Sequence, residues 1–123
     1  MSTLTFTIPN DQWLSSNHRL HWRPKAKRVK ELRAMATIAG HSLPRFTRPV
    51  RVTAFIGYAS NTTADPINAA DTGKPLMDGL VSAGVFIDDS DKWVAGPDYR
   101  RDPVNSKRGF HTVRLEIEEM GEE

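Results

Sequence analysis

The chain alternates apolar and polar residues in three separate stretches. In the first of them, Leu4, Phe6 and Ile8 are separated by threonines. Two later stretches show the same two-residue period, which is typical of half-buried strands. The predicted strands are residues 4–8, 50–58 and 110–119, with shorter ones around 85–87 and 93–94.

Two other stretches repeat apolar residues at the three-to-four-residue spacing of a helix. The first runs from Pro24, which suits a helix start, to Gly40, which suits a helix end. The second covers residues 71–84, where Asp71 or Thr72 is the expected N-cap. Both segments are therefore predicted to be helices.

The order of these elements predicts the fold class. Strand, helix, strand, helix, short strands and strand together indicate α+β, with a small mixed β-sheet and two main helices packed on it. A chain of 123 residues is long enough for one core, so we expect a single domain over residues 1–123. Its last residues, 119–123, are expected to form a frayed tail.

The composition of the chain excludes several kinds of site and argues against membrane insertion and secretion. The chain has no cysteine, which rules out disulfides, iron–sulfur clusters and thiolate zinc sites. No apolar run is long enough to span a membrane, and the first residues lack the basic and apolar regions of a secretion signal. We therefore expect a cytoplasmic protein with no membrane partner.

The net charge of +2 conceals an uneven distribution. Residues 18–51 contain ten lysines and arginines against one acid, Glu31, and most of the acidic residues follow. A basic segment of this kind suits a polyanion such as nucleic acid. A solvated helix face accounts for the same charges, and charge alone leaves both interpretations open.

Three carboxylates, those of Asp88, Asp89 and Asp91, follow the apolar run at 85–87. If the chain is extended here, Asp89 and Asp91 share a face and Asp88 points away. Neighbouring carboxylates repel each other, and a hard cation such as Mg²⁺ converts that repulsion into binding. A solvated turn explains the same acids without a metal, so this segment alone does not decide between them.

A second polar segment, residues 65–74, favours the metal interpretation. It contains Asp65, Asn68, Asp71 and Lys74, and Asp65 should be extended because it precedes a proline. Phosphodiester cleavage needs carboxylates to hold a metal, a metal to activate water, and often a cation near the scissile phosphate. Acids from two stretches, one lysine and a basic segment provide these groups.

Other kinds of site fit the sequence poorly. The segment DTGKP is not a P-loop, because Asn68 stands where the first glycine belongs, so we expect no nucleotide cofactor. The acidic turn lacks the glycine of an EF-hand loop. The histidines lack the helical HExxH arrangement of a zinc site.

Taken together, these segments resemble the RusA-type Holliday-junction resolvases, small dimeric Mg²⁺-dependent endonucleases common in phages and prophages. The most specific block is KPLMDGLVSAGVFIDDSDKW at residues 74–93. It is similar to the family's lysine, helix with an internal acid, Ala-Gly, short apolar run and pair of aspartates. The opening IPNDQWLSSNHR and the closing VRLEIEEMGEE are similar but less specific, and the resemblance covers nearly the whole chain.

The resemblance implies a role for each matching residue. Asp65, Lys74 and Asp89 correspond to catalytic residues, and Asp65, Asp88 and Asp89 to ligands of Mg²⁺ or Mn²⁺. The implied activity is resolution of four-way or other branched DNA by paired nicks, made by a homodimer in a bacterial or phage-infected cell. The implied DNA-binding residues are Asn17, Arg19, Arg23, Lys25, Lys27, Arg28 and Asn68.

One position departs from the family pattern. The second aspartate of the family's Asp-x-Asp-Asn motif is Ile67 here. We expect Asp71, from a shifted position, or Asp88 to supply the missing carboxylate. If neither does so, the protein would bind branched DNA through a degraded metal site without cutting it well. A small metal-binding or protein-interaction domain is a third hypothesis, and it leaves the basic segment unexplained.

Overall fold

A computed structural model describes residues 1–16 and 20–120, which form one small domain. Its four-stranded mixed sheet and two helices confirm the predicted α+β class. Within these residues, no helix is long and apolar enough to cross a membrane. The strands are β1 (Ser2–Pro9), β2 (Val50–Gly57), β3 (Val94–Arg101) and β4 (Phe110–Glu119), and the helices are α1 (Trp22–Gly40) and α2 (Ala70–Ser82).

The strands lie in the order β1-β4-β2-β3. β4 lies between β1 and β2, so it occupies the interior of the sheet, and it runs antiparallel to both of these neighbours. β3 pairs in parallel with β2 and forms one edge. A parallel pair requires a long crossover, and α2 with its flanking loops provides it.

Buried apolar side chains from the sheet and from both helices meet in one core. Val113, Leu115 and Ile117 of β4 are fully buried, as are Leu32 of α1 and Leu80 of α2. A slip of one residue in the register of β4 would turn its three apolar side chains away from the core. Burial of alternate residues therefore fixes the strand pairing.

The predicted short strand at residues 85–87 is wrong. The N–H of Val85 donates to the Leu80 carbonyl at 3.0 Å, and the Val85 carbonyl accepts the Phe46 N–H at 2.8 Å. These backbone groups therefore bond to a helix end and a loop instead of a neighbouring strand. Val85 and Phe86 are nonetheless buried and fix this bend in the core, whereas Ile87 is exposed.

β3 is longer than predicted, because residues 95–101 were expected to be a loop. Gly96 and Pro97 caused the error, since both usually mark turns. They lie where the pairing of β2 with β3 shifts register, and an edge strand tolerates a bulge and a proline. Gly96 has a φ of 106°, and a Cβ there would lie 2.5 Å from the Val52 carbonyl oxygen. Glycine is therefore required at this position.

The start of α2 also differs from the prediction. Neither Asp71 nor Thr72 is the N-cap, because a short 3-10 helix, Pro66–Ala69, leads directly into α2. Ala69 occupies the N-cap position and makes no side-chain capping hydrogen bond. Thr72 is buried instead, within the first turn of the helix.

α1 begins two residues before the predicted start at Pro24 and ends at Gly40 as predicted. Its close packing on α2 explains why α2 contains Gly79. A Cβ on Gly79 would touch the Arg33 carbonyl and lie 2.6 Å from the Cβ of Ala36. Glycine costs about 1 kcal/mol of helix propensity relative to alanine, and here it permits the contact between the helices.

Two residues of the predicted frayed tail are hydrogen-bonded or paired. Glu119 is the last residue of β4, and Met120 donates its N–H to the Pro49 carbonyl at 2.9 Å. Residues 121–123 lie outside the described part of the chain.

An aromatic cluster covers the end of the sheet where β4 begins. The Trp13 indole stacks on the His111 imidazole, with 4.1 Å between centroids and 7° between planes. Tyr58 meets the same imidazole edge-on, and His111 Nδ1 lies 2.7 Å from Asn10 Oδ1. Burial lowers the pKa of His111 below its ordinary value of 6.5, so the ring is neutral at pH 7.

This lowered pKa predicts how stability depends on pH. The unfolded chain takes up the His111 proton more readily than the folded protein, so the free energy of unfolding should fall as the pH drops below about 6.5. That part of the pH dependence should be absent in His111→Phe, which keeps a ring but cannot titrate. Urea denaturation from about pH 8 to pH 5 measures both proteins. An identical pH dependence in the variant would contradict the assignment.

Candidate functional site

A pocket of about 340 Å³ opens between α2 and the edge strand β3. α2 contributes Asp71, Lys74 and Asp78 to its wall, and β3 contributes Tyr99. The turn that precedes β3 contributes Asp89. Three carboxylates and one ammonium group therefore line the same concave surface, although they come from two separate stretches of the chain.

Helical spacing places the three α2 side chains together. Asp71, Lys74 and Asp78 stand at positions i, i+3 and i+7, which lie on one face of a helix. Lys74 Nζ is 3.4 Å from Asp78 Oδ1, and the Lys74 side chain is 73% exposed. An exposed pair of this kind contributes only about 0–1 kcal/mol. The ammonium group can therefore turn towards a phosphate at little cost.

Tyr99 forms the β3 side of the pocket. Burial, together with the nearby negative charge of Asp71, raises the pKa of Tyr99 to about 12. Its hydroxyl therefore stays protonated at neutral pH and can donate a hydrogen bond. A Cβ on Gly73 would touch this hydroxyl and approach the ring carbons at 2.9 Å. Glycine at that position gives Tyr99 room beside α2.

Asp89 lies in a compact turn and not in an extended segment, so the expected alternation of Asp89 and Asp91 does not apply. The Ser90 N–H donates to Asp88 Oδ1 at 2.7 Å, and the Ser90 carbonyl accepts two N–H groups further along the turn. The hydrogen bonds from Ser90 lower the pKa of Asp88. Asp88 thus holds the turn together, while Asp89 lines the pocket.

Asp65 is not among the residues that line the pocket. It caps the 3-10 helix by accepting the Ile67 N–H at 3.2 Å, and it is extended, as its position before Pro66 predicts. Burial is the main cause of the raised pKa of Tyr58, and the charge of Asp65 adds to that increase. Asp65 is therefore close enough to Tyr58 to act on it electrostatically, and the lining of the pocket does not include it.

The two residues that follow in the motif also lie outside the pocket lining. Ile67, which stands in place of the family aspartate, is 54% exposed. The Asn68 carbonyl accepts the Ser16 N–H at 2.9 Å and the Ser16 hydroxyl at 3.2 Å. Of the two acids expected to replace the missing carboxylate, Asp71 lines the pocket and Asp88 does not.

The predicted DNA-binding residues of α1 are of two kinds. Arg28 is half buried, and its Nη1 donates to the Trp13 carbonyl at 2.8 Å, so it holds the segment after β1 against the helix. Asn17 and Arg19 lie outside the described residues. Of the predicted residues in α1, Arg23, Lys25 and Lys27 are exposed.

The oxygen donors of the pocket fit Mg²⁺ by their chemistry. Mg²⁺ is commonly bound by one or two carboxylates and completes its coordination with waters and substrate phosphates. Asp71 and Asp89 offer such carboxylates, whereas Asp78 is paired with Lys74. Within residues 1–16 and 20–120, no three acidic or histidine side chains are close enough to form a metal cluster. This arrangement fits a metal site that leaves coordination positions for water and phosphate better than a site enclosed entirely by protein ligands.

Sequence reasoning missed two residues in this region. Tyr99 lies in a stretch that was predicted to be a loop. Thr72, which is fully buried, accepts the Leu14 N–H at 2.8 Å and donates to the Leu14 carbonyl at 2.7 Å. These bonds join the segment after β1 to the turn of α2 that carries Asp71. A threonine near a helix start indicates a cap, so the sequence has no signal for this distant contact.

Comparison with known proteins adds no relative. No protein-family model matches the chain, and no curated protein matches it. The likeness to the resolvases therefore rests on the motifs in the sequence, and the candidate site rests on its own geometry.

The Thr72 hydroxyl can be tested by replacing it with a methyl group of similar size. Thr72→Val should lower the free energy of unfolding by about 1–3 kcal/mol, because it leaves two buried backbone groups of Leu14 without partners. Thr72→Ser keeps the hydroxyl and is the control. Urea denaturation of both variants measures the difference. A valine variant as stable as the serine variant would show that the two hydrogen bonds contribute nothing.

Proposed function

We propose that this protein is a Mg²⁺-dependent endonuclease that cleaves branched DNA, such as four-way junctions, by hydrolysis of phosphodiester bonds. The observation that carries the proposal is the pocket between α2 and β3, where Asp71 and Asp89 lie beside Lys74. The resemblance to RusA-type resolvases supports it independently, because Lys74 and Asp89 occupy the matching positions of its most specific block.

Each residue of the pocket has a role that its chemistry permits. Asp71 and Asp89 would hold Mg²⁺ through their carboxylate oxygens. Bound Mg²⁺ supplies activation of water and stabilisation of charge on the leaving oxygen. Lys74 would neutralise the scissile phosphate, and the protonated hydroxyl of Tyr99 would donate a hydrogen bond to a phosphate oxygen.

The exposed cations of α1 would supply affinity for the DNA backbone. Contacts between lysine or arginine and phosphate carry affinity and little sequence information, which suits a protein that selects DNA by shape. α1 packs closely on α2 around Gly79. The basic surface is therefore fixed relative to the helix that carries Asp71 and Lys74.

Paired nicks require two sites, and a homodimer provides them. Four-way junctions have approximate two-fold symmetry, and most homodimers are built on a two-fold axis. This part of the proposal rests on the resemblance.

A second candidate function is binding of branched DNA without efficient cleavage. The position of Asp65 outside the pocket lining favours it, as does the replacement of a family carboxylate by Ile67. On this account the basic surface would keep its role and the metal site would be degraded. DNA binding that weakens steeply with salt would support either function over a metal-binding domain that does not bind DNA.

Cleavage of a synthetic four-way junction separates these functions. In Mg²⁺ or Mn²⁺ we expect paired nicks in the junction, none in a linear duplex of the same sequence, and none in EDTA. Asp71→Asn and Asp89→Asn should each slow cleavage by roughly 100-fold or more, since each removes a charged ligand from the site. Asp91→Asn, in the same turn but outside the pocket lining, is the matched control.

One outcome would decide against the endonuclease and another against the pocket as its metal site. Tight binding of the junction without cleavage in any metal would establish the binding protein. Full cleavage by Asp71→Asn and Asp89→Asn together with loss in Asp65→Asn would assign the metal site to Asp65, at the start of the 3-10 helix, and not to the pocket carboxylates.

A further inference from the structure

The three tryptophans of the chain differ sharply in exposure. Trp13 is buried against His111, and Trp93 is half buried. Trp22, the first residue of α1, is 65% exposed. An indole left in water forgoes the large stabilisation that its burial would give, which points to a contact with a ligand or partner.

Positive charge surrounds this exposed indole. The guanidinium carbon of Arg23 lies 5.1 Å from the centroid of the Trp22 ring. The first turn of α1 contains no acidic residue, and the helix dipole also favours anions at this end. A shallow groove of about 530 Å³ extends from the indole along α1. Its lining residues are Trp22, Lys25, Ala26, Val29, Lys30 and Arg33.

The groove has an apolar floor with cationic borders. Trp22, Ala26 and Val29 are spaced four and three residues apart and therefore share one face of the helix. Lys25 and Lys30 flank them and are exposed. Proteins that bind single-stranded nucleic acid combine the same two elements, aromatic rings on which bases stack and cations that follow the backbone.

We propose that Trp22 and this groove form a stacking site for an unpaired base of DNA, with the flanking cations on the adjacent phosphates. The inference rests on the proposed function and deepens it. Opening of base pairs at a branch point would free nucleotides from their partners, and a site that binds them would help to distinguish branched DNA from a regular duplex. The proposed occupant of the groove is a single-stranded segment of DNA.

Charge argues against a second copy of the chain as the occupant. In a two-fold interface the same patch faces itself, so Lys25, Lys30 and Arg33 of one protomer would meet the same cations of its partner. Like charges directly opposed are unfavourable. A polyanion is complementary to this surface.

Binding of short oligonucleotides in EDTA tests the stacking site without involving cleavage. Fluorescence anisotropy would compare labelled oligothymidylate with an abasic strand of the same length. Trp22→Ala should weaken oligothymidylate binding roughly 5- to 150-fold, the loss expected for one stacked base. It should leave abasic binding and the salt dependence unchanged. Trp22→Phe keeps an aromatic face and should retain most of the affinity.

Ile38→Ala is the matched control, because Ile38 is 74% exposed on the same helix and lies about 24 Å from Trp22 along its axis. It should bind both strands as the unaltered protein does. Equal losses for both strands in Trp22→Ala, or no loss for either, would overturn the stacking site. Dissociation of a dimer by Trp22→Ala in sedimentation would overturn it too and assign the face to a second copy. Junction cleavage in Mg²⁺ is scored separately, so the two proposals can fail independently.

Discussion

The buried hydroxyl of Thr72 fixes the first turn of α2, which carries Asp71, to the segment after β1. It pairs with both backbone groups of Leu14, and buried backbone groups without partners are costly. The same segment is tied to α1 by Arg28 and to the 3-10 helix by Ser16. These contacts fix the start of α2, and with it Asp71, relative to the basic helix.

Glycines in α2 serve the site by allowing close contacts on two sides. Gly73 makes room for Tyr99 of β3, and Gly79 allows α1 to approach. Both weaken the intrinsic helix propensity of α2, so tertiary packing must supply the stability that the sequence of the helix lacks. The helix that carries Asp71 and Lys74 is therefore held between the edge strand and α1. Its acidic face, opposite the buried leucines, is left open to a ligand.

The strands and helices with regular patterns could be predicted from the sequence, and the site only in part. β4 spans the predicted residues because its alternation is uninterrupted. Most of β3, beyond the short strand predicted at residues 93–94, was missed because a glycine and a proline at a bulge look like a loop. The apolar run at Val85 was taken for a strand because periodicity cannot show that its hydrogen-bond partners are a helix end and a loop.

The same limits apply to the residues of the site. Lys74 and Asp89 could be placed together by the resemblance, and the structure does bring them to one pocket. The position of Asp65 could not be foreseen, because it depends on the 3-10 helix that replaces a simple N-cap. Tyr99 could be found only once β3 was known to be a strand. The positions of these side chains depend on contacts between segments that are far apart in the sequence.

In the proposed function, Asp71 and Asp89 would hold a divalent cation in the pocket between α2 and β3. The most direct measurement is a titration of isotope-labelled protein with paramagnetic Mn²⁺, followed by broadening of the backbone amide signals. If these residues hold the ion, amides next to Asp71 and Asp89 should broaden first, and a variant with both residues changed to asparagine should lose this effect. Broadening that begins around Asp65, or that persists unchanged in the double variant, would contradict this assignment.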